Sequence, residues 1–211
     1  MPRFLLVTMI IVVSTVAAMF AFLYFVPGVQ AREQPVTVTT DATLPGETMT
    51  QLIDFQDPGE AERWEAINDD VMGGISQGDM GVEAGHGIFS GELSLENNGG
   101  FASVRRDPQA FDLSHAAALA LYVRGDGRRY QLRLYTDQLP RGAAYRAQFQ
   151  PRAGEWERVE LPWQEFEAVF RGRLLGDAPP LALDKIRQVG LMIADRRAGP
   201  FRLEVARIRA E

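Results

Sequence analysis

The densest run of side chains able to hold a ligand is Asn68-Asp69-Asp70-Val71-Met72-Gly73-Gly74, closely followed by Ser76 and Gly78. Carboxylates and amides beside two glycines can supply oxygens to a hard cation such as calcium. The run lacks the spaced ligands and closing bidentate Glu of an EF-hand, so a turn in which Asn and Asp cap backbone amides is the simpler account. Within it, Gly74-Ile75-Ser76-Gln77-Gly78 spells G-x-S-x-G, the nucleophile elbow of α/β-hydrolases. That motif acts only on a strand-to-helix turn of a parallel sheet, and residues 79–85 are broken by glycines that open a helix poorly.

Other chemistries have thinner support. There is no cysteine, which excludes disulfides, thiolate zinc sites and a cysteine nucleophile. His86 and His115 lie in different segments without a ligand-like neighbour, so a histidine metal site or catalytic triad is not expected. Asp70, Asp126, Asp137, Glu165 and Asp195 could serve glycoside hydrolysis if two of them met at roughly 5–9.5 Å, although salt bridges to the many arginines are the commoner use of such groups. Trp64, Trp156 and Trp163 with Tyr122, Tyr135 and Tyr145 could stack sugar rings, Tyr122 and Tyr135 lying opposite the core phase of their strands; ordinary packing is the default. Arg124-Gly125-Asp126 spells an adhesion tripeptide, but its residues are those a turn demands.

The elements that must position these groups are strands. With 20 Gly and 12 Pro in 211 residues, and aromatics inside short apolar runs, the composition suits many strands joined by tight turns. Strands are expected at 51–55, 87–95, 101–105, 118–124, 130–136, 145–150, 155–161, 188–194 and 200–208. Residues 118–124 and 130–136 both alternate strictly around Gly125-Asp126-Gly127, which predicts a hairpin. Short helical turns are expected at 163–170 and 183–187. Many strands at regular spacing, with no helix long enough for βαβ crossovers, point to an all-β antiparallel jelly-roll sandwich over 51–211.

Ahead of this domain, residues 4–26 are uncharged and end at Pro27-Gly28, long enough to span a bilayer as a helix at about 20 residues per crossing. The expected organisation is a transmembrane signal anchor over 1–28 and a flexible linker over 29–50. A signal peptide cleaved near Ala31 is the alternative. Arg3 and the terminal amine before the segment, with Arg32 against Glu33, Asp41 and Glu47 after it, place the domain on the extracytoplasmic, periplasmic side, either anchored or released. The net charge of −6 argues against nucleic acid as a partner.

The order of motifs narrows this further. Trp64, the 68–76 run, Phe89-Ser90-Gly91, Asn97-Asn98-Gly99-Gly100-Phe101, Arg124-Gly125-Asp126-Gly127, Leu161-Pro162, Phe170-Arg171-Gly172-Arg173 and Gly190-Leu191-Met192-Ile193-Ala194-Asp195 follow one another in a pattern that resembles the complex I intermediate-associated protein 30 family. The resemblance covers residues 53–208. It implies a galactose-binding-like jelly roll with no catalytic set; no cofactor and no metal are expected. It also implies a role as an assembly factor or chaperone for a membrane complex, with another protein as partner. The motif residues it offers for a binding surface are Asn68, Asp70, Met72, Gly73 and Gly74, then Asn98, Gly99, Gly100, Arg171 and Asp195. Where mitochondrial members work on the matrix side, the charge asymmetry here places the domain outside. The alternative function is an exported carbohydrate-binding module with a glycan ligand.

Overall fold

A computed structural model describes residues 50–211, so the expected N-terminal span and linker fall outside the described residues. Among those described, no helix is long and apolar enough to cross a membrane.

The described chain forms β1 (Thr50–Asp54), β2 (Trp64–Ala66), β3 (Gln77–Glu83), β4 (His86–Leu93), β5 (Ala102–Arg106), β6 (Ala118–Arg124) and β7 (Tyr130–Thr136). It continues through β8 (Ala143–Phe149), β9 (Trp156–Pro162), β10 (Glu167–Phe170), β11 (Arg173–Leu174), β12 (Ile186–Ile193) and β13 (Gly199–Ala210). One sheet runs β3-β4-β13-β6-β9, with β1 also on β13; the other runs β11-β10-β8-β7-β12-β5-β2. Every strand pairing is antiparallel.

Period-two alternation builds the core between the sheets. Phe89, Leu119, Leu121, Val123, Leu203 and Val205 fill it from one side, and Val104, Leu132, Leu134, Val189, Leu191 and Ile193 from the other, all buried. Two register shifts keep the long strands in phase with it. On β13 the core residues change from odd positions (Phe201, Leu203, Val205) to even ones (Ile208, Ala210) across a shift between Val205 and Arg207. On β12 a shift between Ile186 and Gln188 lets Ile186 and then Val189, Leu191 and Ile193 all face inward. An extra residue in one strand reverses which face the following side chains take, so the irregularities preserve burial.

Two local expectations are corrected. The two clean alternating runs do not form a hairpin: β6 pairs with β13 and β9, whereas β7 pairs with β12 and β8, so Gly125-Asp126-Gly127 carries the chain from one sheet to the other. Asp126 fixes that crossing, accepting hydrogen bonds from the Tyr130 hydroxyl (3.0 Å) and the backbone N–H groups of Arg128 (2.9 Å) and Arg202 (2.8 Å). A tight hairpin forms instead between β3 and β4, at Ala84 and Gly85, both with positive φ, the geometry that matches strand twist. The helical turn expected at 163–170 stops at Glu165, and Glu167–Phe170 is a strand, because pairing with β8 offers it ladder hydrogen bonds that one helical turn cannot.

Candidate functional site

The outer face of the seven-stranded sheet carries the candidate site. Because Leu132 and Leu134 take the core phase of β7, Gln131, Arg133 and Tyr135 take the opposite one. The pairing register then sets Arg133 opposite Arg146 of β8 on one side and Gly190 of β12 on the other, with Arg105 of β5 beyond Gly190. One row across the sheet therefore reads Glu65, Arg105, Gly190, Arg133, Arg146, Glu167. A groove of about 710 Å³ lies over this row, in the size range of ligand sites.

Its walls differ in chemistry. Val71, Met72 and Leu95 form an exposed apolar wall from the loops before β3 and β5. The remaining polar lining is dominated by Arg105, Arg133, Arg146, Arg171 and Arg196, and no acidic side chain is among the described lining residues. Arg133 is only 7% exposed, and the Nε atoms of Arg105, Arg133 and Arg146 are buried without a hydrogen-bond partner among the described residues. Burial, with the charges of Arg105 and Arg146 adding to it, pulls the Arg133 guanidinium below its ordinary value even though Tyr135 opposes this. The Arg105 guanidinium lies over the Tyr135 ring at 3.9 Å.

The apolar wall is held by a residue absent from the expected site set. Asp69 is fully buried, and its carboxylate accepts hydrogen bonds from the Ser76 N–H (2.9 Å) and hydroxyl (2.6 Å) and from the N–H groups of Gly100 (2.6 Å) and Phe101 (3.2 Å). It thereby ties the 68–76 loop to the 96–101 loop. Burial pushes this carboxyl up, but the Ser76 hydroxyl and the three N–H groups outweigh that and hold it below the usual carboxylate range. One glycine of each motif pair follows from this packing, since a Cβ at either Gly74 or Gly99 would run into the Asp69 carboxyl group. Gly74→Ala should therefore cost about 1–3 kcal/mol, the usual range for forced overpacking. Urea unfolding checks this, and an unchanged midpoint would refute the packing role.

The expected site residues divide by position. Met72, Asn98, Gly99, Gly100 and Arg171 line the groove. Gly73 and Gly74 belong to the wall loop, where Gly73 turns the chain at φ 89°; Asp70 is exposed on the same loop. Asn68 bridges strands, donating to the Gly78 carbonyl (3.0 Å) and accepting from the Ser103 N–H (3.2 Å). Asp195 lies in a smaller pocket with Arg129, Gln148 and Arg196, and pairs with buried Arg128 at 2.7 Å. Tyr135, one of the aromatic residues considered for stacking, also lines the groove, whereas Arg105, Arg133 and Arg146 were not expected, and the available signal was arginine at the polar phase of three separate strands.

The other candidate chemistries take definite places. The Ser76 hydroxyl donates to Asp69 and accepts from the Ser94 N–H, which engages it on both sides in a buried setting. Asp126 is committed to the crossover, Asp137 pairs with Arg187 at 2.7 Å, and Asp195 faces Arg128. Among the described residues, no three His, Asp or Glu side chains gather as a metal set. Tyr122 stacks with Trp156 on the outer face of the six-stranded sheet, with Arg207 over its ring at 4.7 Å. Tyr135 belongs to the other sheet, so the two tyrosines share no platform.

A two-sheet antiparallel sandwich with a ligand-sized groove across one sheet defines a β-sandwich domain of the carbohydrate-binding-module type in fold. Solved structures agree. The family 11 carbohydrate-binding module from Clostridium thermocellum, in complex with a β-1,3-1,4-mixed-linked tetrasaccharide, superposes with a TM-score of 0.56 at 17% identity, over 77% of this chain and 94% of that one. The family 11 module of the cellulosomal cellulase Lic26A-Cel5E of the same organism gives 0.58 at 15% identity, with the same coverage. The sequence is more specific: residues 53–205 match the complex I intermediate-associated protein 30 (CIA30) family, and the chain belongs to that family. Complex I intermediate-associated protein 30, mitochondrial, from Mus musculus is 28% identical over 172 residues, covering 72% of this chain and 52% of that protein. Its Neurospora crassa counterpart is 29% identical over 123 residues, covering 56% and 44%, and the Drosophila melanogaster one is 26% identical over 184 residues, covering 76% and 62%. The chain thus spans about half the length of the curated relatives it matches.

These relatives correct the expected localisation. They are named as mitochondrial proteins, which overturns the extracytoplasmic placement, whether anchored or released near Ala31; the N-terminal segment itself lies outside the described residues. The physical reason is that the charge rule orients a segment once it inserts. Arg3 against three downstream acids says nothing about whether, or into which membrane, insertion happens.

Proposed function

We propose that this domain is a non-enzymatic protein-binding module that holds a partner subunit of a membrane complex during assembly and engages it through the groove on the seven-stranded sheet. The observation that carries the reading is the groove of about 710 Å³ with Val71 68% and Met72 53% exposed on its wall. Large apolar side chains held out to solvent beside a concave face mark interaction surfaces. Membership of a family whose members are named for association with a complex I intermediate supports a protein as the occupant. Sugar stacking has less support, because Tyr135 already has a guanidinium over its ring.

The test is site-specific photocrosslinking of the full chain in its own cells, with a benzophenone amino acid at Met72 or Leu95 and a control at Tyr122 on the opposite sheet. The expected result is adducts with a complex I subunit from the two groove positions and few from Tyr122. Equal yields from all three positions, or no subunit adduct from the groove, would refute the assignment.

A further inference from the structure

The row of arginines is an expensive arrangement for a sheet to keep without a ligand. Arg133 and Arg146 are direct cross-strand neighbours of like charge, a pairing that destabilises a sheet. Arg105 joins them two strands away across Gly190, where the absent side chain leaves room that the edge of the Tyr135 ring approaches. Glu167 reaches Arg146 only at 3.6 Å and is itself half exposed, while the Arg133 Nη1 meets the Met192 sulfur. Three guanidinium groups therefore keep a buried Nε free on the floor of one groove. A buried donor left without an acceptor is costly, and a carboxylate is the acceptor that guanidinium geometry fits best.

Building on the protein-binding reading above, we propose that the Arg105–Arg133–Arg146 row takes the carboxylates of an acidic peptide segment of the partner, whose interleaved apolar side chains seat against Val71, Met72 and Leu95. The dimensions agree. Neighbouring strands lie about 4.8 Å apart, so Arg105 and Arg133 are about 10 Å apart across Gly190, and same-face side chains of an extended peptide recur every ~7 Å, within reach of both. A free phosphate would engage the cations and leave the apolar wall unused. An acidic glycan would meet the cations, but the Tyr135 face is covered by Arg105. The net charge of −6 makes the groove a local reversal of sign, which selects an anionic segment against the rest of the protein's own surface.

The test is fluorescence anisotropy on the full chain with a labelled synthetic peptide alternating Glu with Leu. A Gln-for-Glu version of the peptide, a labelled oligogalacturonate and inorganic phosphate as competitor complete the set. The Glu peptide should bind, and the Gln peptide should bind at least about tenfold more weakly, the scale of one lost charge-assisted hydrogen bond. Arg133→Met and Arg105→Met should each weaken the Glu peptide by about tenfold to a hundredfold, and Arg133→Lys, which keeps charge but loses the planar fork, by less. Thermal melting separates folding from recognition: Arg133→Met should melt no lower than the parent, since it removes a buried cation that has no carboxylate partner among the described residues. Equal binding of the Glu and Gln peptides, tighter binding of the oligogalacturonate, or full displacement by millimolar phosphate would each overturn the acidic-peptide assignment. If groove crosslinks to a complex I subunit persist in that event, the protein-binding reading stands without it; if the crosslinks are absent while the Glu peptide binds, that reading fails and the charge assignment survives.

Discussion

Asp69→Ala is expected to lower the unfolding free energy by about 3–5 kcal/mol, because it leaves several buried donors without an acceptor at once. Three of those donors are backbone N–H groups, of Ser76, Gly100 and Phe101, and the fourth is the Ser76 hydroxyl. For a domain of this size each kcal/mol is worth about 2–4 °C, so the melting temperature should fall by roughly 6–20 °C. Asp69→Asn keeps the shape but turns an amide NH₂ toward one of the donors, so its loss should be smaller and still plain. The pH dependence has a definite sign. A carboxylate whose folded pKa lies below its unfolded one contributes stability that is fully present above the unfolded value and disappears as pH falls through the folded value. The parent should therefore lose stability below about pH 4, and Asp69→Asn should lose less over that range. Urea titrations at several pH values read both effects. Parallel pH profiles for parent and variant would sink the assignment of Asp69 as the tie between the two loops.

The second large effect is expected at Asp195. Its carboxylate meets the Arg128 guanidinium with both oxygens, at 2.7 and 3.0 Å, and both side chains are about 6% exposed. Arg128 also donates to the carbonyls of Arg197, Gly199 (2.9 Å) and Pro200 (2.8 Å), which clamps the turn that leads into β13. Burial raises the Asp195 carboxyl, but the Arg128 hydrogen bonds hold it below the ordinary value. Asp195→Ala strands a buried cation and should cost about 3–5 kcal/mol, while replacing both partners with apolar residues should cost less than the sum of the two single changes. A double-mutant cycle with Asp195→Ala and Arg128→Met measures this directly. Additive losses would show that the pair is not coupled and that the turn is held by other contacts.

These two carboxylates show how far a motif can be read without coordinates. The 68–76 run stood out in the sequence because acids, amides and glycines cluster there, and it does build one wall of the groove. Which acid does the building was not readable: Asp69 and Asp70 are adjacent and alike, yet one is fully buried and the other exposed. The spacing of Gly74 and Gly99 is explained only by the carboxyl group that each must clear, and that group comes from another loop in the case of Gly99.

Alternation along each strand was legible because the period-two pattern is local, a property of neighbouring residues on one pleated strand. From it came the all-β class, the core phase of β6 and β7, and, through the ordered motifs, the family. Strand partners are a non-local choice. The two best alternating segments lie next to each other in sequence and in different sheets, β6 paired with β13 and β9, β7 with β12 and β8. The arginine row depends on that choice. Arg105, Arg133 and Arg146 sit on three strands whose polar faces look alike in sequence, and only the pairing register, with Gly190 between two of them, gathers the charges into one groove. The sequence alone determined which face of each strand is polar; the tertiary structure decided which polar faces meet, because register is set by the packing of the opposite, apolar face.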